Sequence, residues 1–99
     1  MPLKIERSAL AKQDLFDIWD YILPNSPKGA ERVIRDLYAG FSMLAEQPQA
    51  GRDRQDLLAG LRSFPVAGYL VFCRHSRTTL TIIRILHAAR DITPDFLSE

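Results

Sequence analysis

The sequence contains one cysteine, Cys73, so it can form no internal disulfide and no zinc site built on several thiolates. It has no apolar run near the ~20 residues that cross a bilayer, and its amino terminus carries scattered charge. These absences predict a protein of the reducing cytoplasm without a membrane segment. A metal site would need Cys73, His75 and His87 to converge from separate strand positions, which we do not expect, so we predict no metal site and no cofactor.

Lysine is absent after Lys28 and tyrosine after Tyr69, while residues 51–99 carry seven arginines against five acids. Arginine can clamp a carboxylate or a phosphate through two parallel hydrogen bonds, so this set predicts recognition of a specific acidic partner. Pairing with Asp53, Asp56 and Asp91 inside the chain is the alternative. A formal net charge of +1 argues against non-specific nucleic-acid binding. The candidate partner-binding residues are Arg52, Arg54, Arg62, Arg74, Arg84 and Arg90.

The 99 residues are enough for one compact core and too few for two, so we expect a single domain over residues 1–99. Residues Leu3 to Arg7 alternate apolar and polar, which predicts a short strand. Ser8 then provides a helix cap, and apolar residues recur at helical spacing as far as Ile22. Pro24 ends this helix, and Ser26 with Pro27 begins a second one. We predict helices over Ala9 to Leu23 and Pro27 to Glu46, packed as an antiparallel hairpin.

The apolar stripes of the two helices identify the residues that we expect between the hairpin and the sheet: Leu15, Ile18, Ile22, Val33, Ile34, Leu37 and Phe41. Three acids of the first helix lie on the flanks of its stripe, and we interpret them as a solvated surface: Asp14, Asp17 and Asp20. Gly40 interrupts the second helix at a cost of ~1 kcal/mol relative to alanine. Close packing against a neighbouring element explains such a glycine.

Three further strands are predicted over Leu61 to Phe64, Tyr69 to Arg74 and Leu80 to Leu86. Together with the first strand they form a mainly antiparallel sheet, so the fold class is α+β in the order β-α-α-β-β-β. Strict alternation separates Leu70, Phe72 and Arg74 from Tyr69, Val71 and Cys73, and it separates Leu80, Ile82, Arg84 and Leu86 from Thr81, Ile83 and Ile85. Both faces are therefore apolar. The hairpin can cover only one, and we expect the other to form an apolar groove rimmed by arginine or to be covered by a partner.

Four blocks of the chain resemble the ParE toxins of bacterial toxin–antitoxin modules, within the larger RelE/ParE superfamily. They are DLFDIWDYI from Asp14, the stretch from Pro48 to Pro65 with its GRDRQDL and GLRSFP pieces, YLVFCR from Tyr69, and IIRILHAARDI from Ile82. Their order and spacing cover nearly the whole chain. The fold of that family agrees with the order of elements derived from periodicity.

The resemblance implies a toxin of a type II system that inhibits DNA gyrase by binding, without catalysis. Its implied partners are gyrase and a cognate antitoxin, ParD-like and DNA-binding at its N-terminus, in a toxin–antitoxin hetero-oligomer. We expect antitoxin carboxylates in the remaining groove to reach some of the arginines.

RelE-like relatives instead cleave messenger RNA on the ribosome, and that is the alternative function. Such a nuclease would need a titrating group, for which His87 is the candidate, and Arg62 and Arg90 to stabilise the phosphorane. The third alternative is an interaction domain of the same fold without toxicity.

Overall fold

The computed structural model describes residues 1–97 and confirms the α+β class. Its strands are β1 (Lys4–Arg7), β2 (Arg52–Asp53), β3 (Arg62–Val66), β4 (Tyr69–His75) and β5 (Thr79–His87). The helices are α1 (Ala9–Ile22) and α2 (Pro27–Glu46), with short 3-10 helices at Pro48–Ala50 and Pro94–Leu97. Within the described residues, no helix is long and apolar enough to cross a membrane.

Both helices begin at the predicted caps. The Ser8 hydroxyl accepts a hydrogen bond from the Ala11 amide at 3.0 Å, and the Ser26 hydroxyl accepts one from the Gly29 amide at 2.9 Å. Pro27 occupies the first turn of α2, where its missing N–H costs nothing. The connection between the helices is therefore short, and α1 and α2 pack together as the predicted hairpin.

The sheet has the order β1-β5-β4-β3-β2, with β1 parallel to β5 and all other pairs antiparallel. β2 was not predicted, because a two-residue strand carries no periodicity. β2 pairs only with Arg62 and Ser63 of β3, so Pro65 lies beyond the paired part of β3. Because no strand of residues 1–97 is paired with β3 on that side at Pro65, the missing proline N–H breaks no hydrogen bond there. Ala67 and Gly68 both have positive φ, as a tight two-residue β3–β4 turn requires.

The hairpin covers the sheet face that carries Val71, Cys73, Leu80, Ile82 and Ile85, which we call the helix face. Of the predicted core residues, Leu15, Ile18, Leu37 and Phe41 are buried, whereas Ile22, Val33 and Ile34 are partly buried and pack against that core. A methyl group at Gly40 would lie 2.9 Å from a Val66 methyl carbon, so this glycine does permit a close helix–strand approach.

The opposite sheet face, which we call the outer face, is covered by the chain itself. Its buried cluster consists of Leu61, Phe72, Ile83, Leu86 and Leu97, and the surrounding partly buried residues are Leu57, Leu58, Leu70, Ile92 and Phe96. Residues of β4 and β5 form the sheet side of this cluster, and they are covered by Leu57, Leu58 and Leu61 from the segment before β3 and by Ile92, Phe96 and Leu97 from the C-terminal segment. The expectation of an open apolar groove on this face is therefore wrong, since two irregular segments fill it.

Strict alternation along β5 was also wrong. The register shifts between Phe72 and Cys73, because Cys73 pairs with Ile82 and Phe72 pairs with Arg84, which leaves Ile83 as an extra residue. This bulge turns Ile83 to the outer face and Ile85 to the helix face, although alternation had placed them together. The same bulge separates Ile82 from Leu86.

Candidate functional site

The six candidate arginines do not form one surface. Arg52 is in register with Ser63, which is in register with Phe72 of the outer face, so Arg52 lies on that face. Arg74 follows Phe72 by two residues and therefore lies on the same face. Both are exposed, and within residues 1–97 neither has a carboxylate oxygen within 4.0 Å. They are the arginines of the sheet most available to an acidic partner.

Arg54 also lies over the outer face but is already engaged. Its guanidinium donates to both carboxylate oxygens of Asp56, at 3.1 and 3.2 Å, and lies 5.9 Å from the centre of the Phe72 ring. The hydrogen bond from Arg54 lowers the pKa of Asp56. Pairing inside the chain, the alternative for any one arginine, is therefore observed for Arg54.

Arg62 lies on the helix face of β3, in register with Cys73. Its Nη1 donates to the Gly51 carbonyl at 2.7 Å, and Gly51 packs so closely that a methyl group there would meet the Arg62 Cβ at 3.1 Å. Arg62 therefore holds the segment that joins α2 to β2. That contact uses one of its five N–H donors and leaves the guanidinium half-buried.

Arg84 is bound to Asp14, and this corrects the interpretation of Asp14 as a solvated residue. Its Nε and Nη2 donate to the two Asp14 carboxylate oxygens, each at 2.8 Å, and its Nη1 donates to the Phe96 carbonyl at 2.5 Å. Asp14 is 7% exposed and also accepts from the Ile85 amide at 2.9 Å. The hydrogen bond to Asp14 raises the pKa of Arg84. Arg84 thus links α1, β5 and the C-terminal segment, and Asp17 and Asp20 remain exposed.

His87 and Arg90 lie together at the end of β5. The His87 Nδ1 accepts from the Ala89 amide at 3.1 Å, which places the proton of the neutral ring on Nε2. The ring of Tyr69 packs edge-on against His87, with centroids 5.5 Å apart. Arg90 is exposed and stacks on Phe96 at 4.7 Å.

Arg62 and His87 lie at opposite ends of the sheet. Arg62 is in register with Cys73 and His87 with Tyr69, so they are four residues apart along β4 and on strands that flank it. Strand dimensions then separate their Cα atoms by about 16 Å. The structure brings His87 and Arg90 together but leaves Arg62 elsewhere. His75 is exposed at the end of β4.

A cleft between the two helices, which we call the hairpin cleft, was not predicted. Its volume is about 550 Å³, and it is lined by Arg7, Lys12, Leu15, Phe16, Trp19, Ile34 and Tyr38. Phe16 is 66% exposed, and Arg7 donates to the Tyr38 hydroxyl at 2.6 Å. The available signal was a pair of aromatic residues, Phe16 and Trp19, next to the core stripe of α1.

A second cleft lies between α1 and the end of β5, and we call it the β5-edge cleft. Its volume is about 650 Å³, and its lining residues are Asp14, Asp17, Ile18, Tyr21, Tyr69, Arg84, Ile85, Leu86, His87 and Arg90. The two charges of Asp14 and Arg84 neutralise each other. Among the lining residues, the remaining charges are therefore Asp17 on α1 and Arg90 in the turn that follows β5.

Cys73 is buried, and burial raises its pKa from 9.0 to about 11. A thiol of this kind is not a nucleophile at neutral pH. In the part of the chain that the structure describes, no group of three His, Cys, Asp or Glu side chains could hold a metal ion.

Residues 5–92 match the family model described as ParE toxin of type II toxin–antitoxin system, parDE. Toxin ParE1 of Caulobacter vibrioides is 36% identical over 89 residues, which cover 87% of this chain and 88% of that protein. Toxin ParE3 of the same organism is 37% identical over 62 residues, 63% of this chain and 62% of that protein.

Two solved structures share the fold. The chromosomal ParDE system from P. aeruginosa superposes with a TM-score of 0.73 at 19% identity, covering 86% of this chain and 95% of that one. The toxin–antitoxin complex RelBE2 from Mycobacterium tuberculosis superposes with a TM-score of 0.64 at 23% identity, covering 88% and 99%.

Proposed function

The chain belongs to the ParE toxin family of type II toxin–antitoxin systems, and we propose that it acts by binding and inhibiting DNA gyrase and is held inactive by a cognate antitoxin. The antitoxin of this proposal is ParD-like, with a DNA-binding N-terminal part, and the two proteins form a hetero-oligomer. Gyrase is a bacterial cytoplasmic enzyme, so the proposal places the toxin in the cytoplasm.

The observation that supports action by binding, without catalysis, is the separation of Arg62 from His87. A ribonuclease of the alternative type needs a proton-transfer group and a phosphorane-stabilising cation around one phosphate, with reacting groups within about 3 Å of their targets. Arg62 and His87 are about 16 Å apart by strand geometry. The Arg62 guanidinium donates to the Gly51 carbonyl at 2.7 Å, on the β2 side of β3 and away from β5, so His87 and Arg90 would act without Arg62.

One observation favours the ribonuclease alternative. His87, Tyr69 and Arg90 line the same cleft, so an imidazole, a phenol and a guanidinium are near one another. Histidine is the side chain most often used for general acid–base catalysis. The RelBE2 complex shares only the fold, since its identity is 23%.

We place the antitoxin in the hairpin cleft. Its floor is apolar and aromatic, with Phe16 exposed, and its rim carries the cations Arg7 and Lys12. An amphipathic helix with an apolar face and acidic flanks complements such a groove. On the outer face, Arg52 and Arg74 remain proposed contacts for partner carboxylates, with Arg54, Arg62 and Arg90 as further candidates. Arg84 is left out of this set, because its guanidinium is bound to Asp14 and Phe96.

The target is tested with two parallel assays on the purified chain. One contains gyrase and supercoiled or relaxed DNA, and the other contains translating ribosomes with a defined messenger. We expect inhibited supercoiling or trapped cleaved DNA in the first and intact messenger in the second. Trimmed messenger with unaffected gyrase would overturn the proposal.

His87→Gln separates the two modes of action. A protein that acts by binding needs no proton transfer, so the variant is expected to inhibit gyrase as well as the unaltered chain does. A ribonuclease would lose about 10²–10⁴-fold in cleavage, the scale of general acid–base catalysis.

The antitoxin site is tested by Phe16→Lys, which changes an exposed residue and so leaves the core intact. We expect weaker binding to the antitoxin encoded beside this chain, with inhibition of gyrase retained. Arg32→Glu, an exposed charge change on α2 outside the hairpin cleft, serves as the matched control. Unchanged affinity in the Phe16 variant would exclude the hairpin cleft as the contact.

A further inference from the structure

β1 is an edge strand of the sheet, and all four of its residues are exposed. Within residues 1–97 it pairs only with β5. The amides of Lys4 and Ser8 both donate to carbonyls on the β5 side, so the even-numbered residues turn their backbone groups toward β5. The N–H and C=O groups of Ile5 and Arg7 therefore point to the free side of the strand.

Helix α2 is bonded to the two ends of this edge. The Ala45 carbonyl accepts from the Leu3 amide at 2.9 Å, and the Tyr38 hydroxyl accepts from the Arg7 side chain at 2.6 Å. Between these two contacts, Ile5 is 38% exposed. The middle of the edge is therefore accessible from solvent.

The side chains of β1 are complementary to a second copy of the same strand. Ile5 is in register with Leu80 of the helix face, so Lys4 and Glu6 lie on the outer face. Their charged groups are 3.5 Å apart, and the two side chains are 74% and 54% exposed. In an antiparallel pair centred on Ile5, each Lys4 lies opposite the Glu6 of the other copy, at a position where facing side chains are close.

Charge also selects this register. The free backbone groups belong to odd-numbered residues, so two antiparallel copies of β1 can be centred only on a residue and not between two residues. Centring on Lys4, Glu6 or Arg7 would put two identical charges directly opposite each other, which is destabilising. Among the four strand residues, only Ile5 avoids this repulsion.

We infer that β1 is a self-association surface, on which two copies of this chain pair antiparallel across a two-fold axis at Ile5. The two five-stranded sheets then join into one sheet of ten strands. The two Ile5 residues exchange both backbone hydrogen bonds, and each Arg7 amide donates to the Leu3 carbonyl of the other copy. Because the axis is perpendicular to the sheet, both helical hairpins lie on the same face of the joined sheet.

A second copy fits this edge better than an unrelated strand. Charged side chains on an edge strand discourage pairing with most other strands. The alternation of Lys4 and Glu6 admits a strand with the opposite alternation, and an antiparallel copy of β1 has it by symmetry. Lys4, Ile5 and Glu6 line neither cleft, so this inference stands or fails apart from the proposed antitoxin contact and the gyrase target.

Self-association is tested by sedimentation velocity and by NMR of the labelled chain over a concentration series. A paired length of four residues is far smaller than the roughly 800 Å² per partner of a stable interface, so we expect a dissociation constant of about 0.1–1 mM. The dilute chain is expected to be a monomer, and the concentrated chain a mixture of monomer and dimer. The amide resonances of Ile5 and Arg7 are expected to shift with concentration more than those of Lys4 and Glu6, which are bonded to β5.

The pairing itself is tested by exchanging charges. Lys4→Glu and Glu6→Lys each replace attraction by repulsion across the two-fold axis, and each alone is expected to weaken self-association about 10–50-fold. An equal mixture of the two variants restores the complementarity, so dimers of unlike chains are expected to form again. Both side chains are exposed, so neither change disturbs the core. Lys28→Glu, an exposed change of the same charge at the start of α2, is the matched control.

Three results would overturn the inference. The first is a chain that stays monomeric at about 1 mM, the upper end of the expected range. The second is a Lys4→Glu variant that dimerises as well as the Lys28→Glu control, or a mixture of the two β1 variants that restores no dimer. The third is a response of the Ile5 and Arg7 resonances to added antitoxin alone, because the edge would then belong to that partner.

Discussion

The Asp14–Arg84 pair offers the sharpest prediction about stability. Both side chains are nearly enclosed, at 9% and 13% side-chain exposure, and the pair is bidentate with both contacts at 2.8 Å. Asp14 also binds the Ile85 amide, and Arg84 also binds the Phe96 carbonyl. Removing Asp14 therefore leaves the Arg84 charge buried and frees the Ile85 amide, whereas removing Arg84 leaves the Asp14 charge buried and frees the Phe96 carbonyl.

The expected cost follows from those contacts. Breaking a buried ion pair by removing one partner costs about 3–5 kcal/mol, since the remaining charge is left uncompensated. A domain of this size has a free energy of unfolding of about 5–15 kcal/mol, so Asp14→Ala is expected to remove a large share of it. The corresponding fall in Tm is about 12–40 °C. Replacing both residues, as in Asp14→Leu with Arg84→Met, is expected to cost much less than Asp14→Ala, because no unpaired charge remains.

Urea unfolding monitored by circular dichroism measures these differences. Asp17→Ala is the control, since Asp17 is an exposed aspartate of the same helix and its loss is expected to change the free energy by less than about 0.5 kcal/mol. The reasoning is refuted if Asp14→Ala unfolds with the midpoint of the Asp17 control. It is refuted equally if the double replacement costs the sum of the two single ones.

Three further predictions concern the core. Leu37→Ala is expected to cost about 2–5 kcal/mol in urea unfolding, because the Leu37 side chain is fully buried; an unchanged midpoint would contradict its placement. Gly40→Ala is expected to raise the free energy of unfolding by less than the ~1 kcal/mol that helix propensity alone would add, because the new methyl group would contact Val66. In a Val66→Ala background, Gly40→Ala is expected to give the full gain. With a pKa of about 11, only about one in a thousand Cys73 thiols is ionised at pH 8. Labelling of Cys73 by a thiol reagent is therefore expected to be slow in the native protein and fast in urea. Rapid labelling of the native protein would show that Cys73 is accessible.

The helices and the three long strands were predictable because each carries a local signal. Ser8 and Ser26 cap the helices, and the apolar stripes keep helical spacing from Ala11 to Leu44. The prediction ended α1 one residue late, at Leu23 instead of Ile22. Family membership also followed from local blocks, since those blocks keep their order along the chain.

The rest depended on contacts between residues far apart in sequence. Nothing near Asp14 indicates that Arg84, 70 positions away, will bury it, and a charged residue on a helix flank is usually solvated. The bulge at Ile83 has no glycine to mark it. The outer face is covered by Leu57, Leu58 and the segment around Phe96, whose sequences show no regular period. The candidate site was missed for the same reason, because both clefts form between elements.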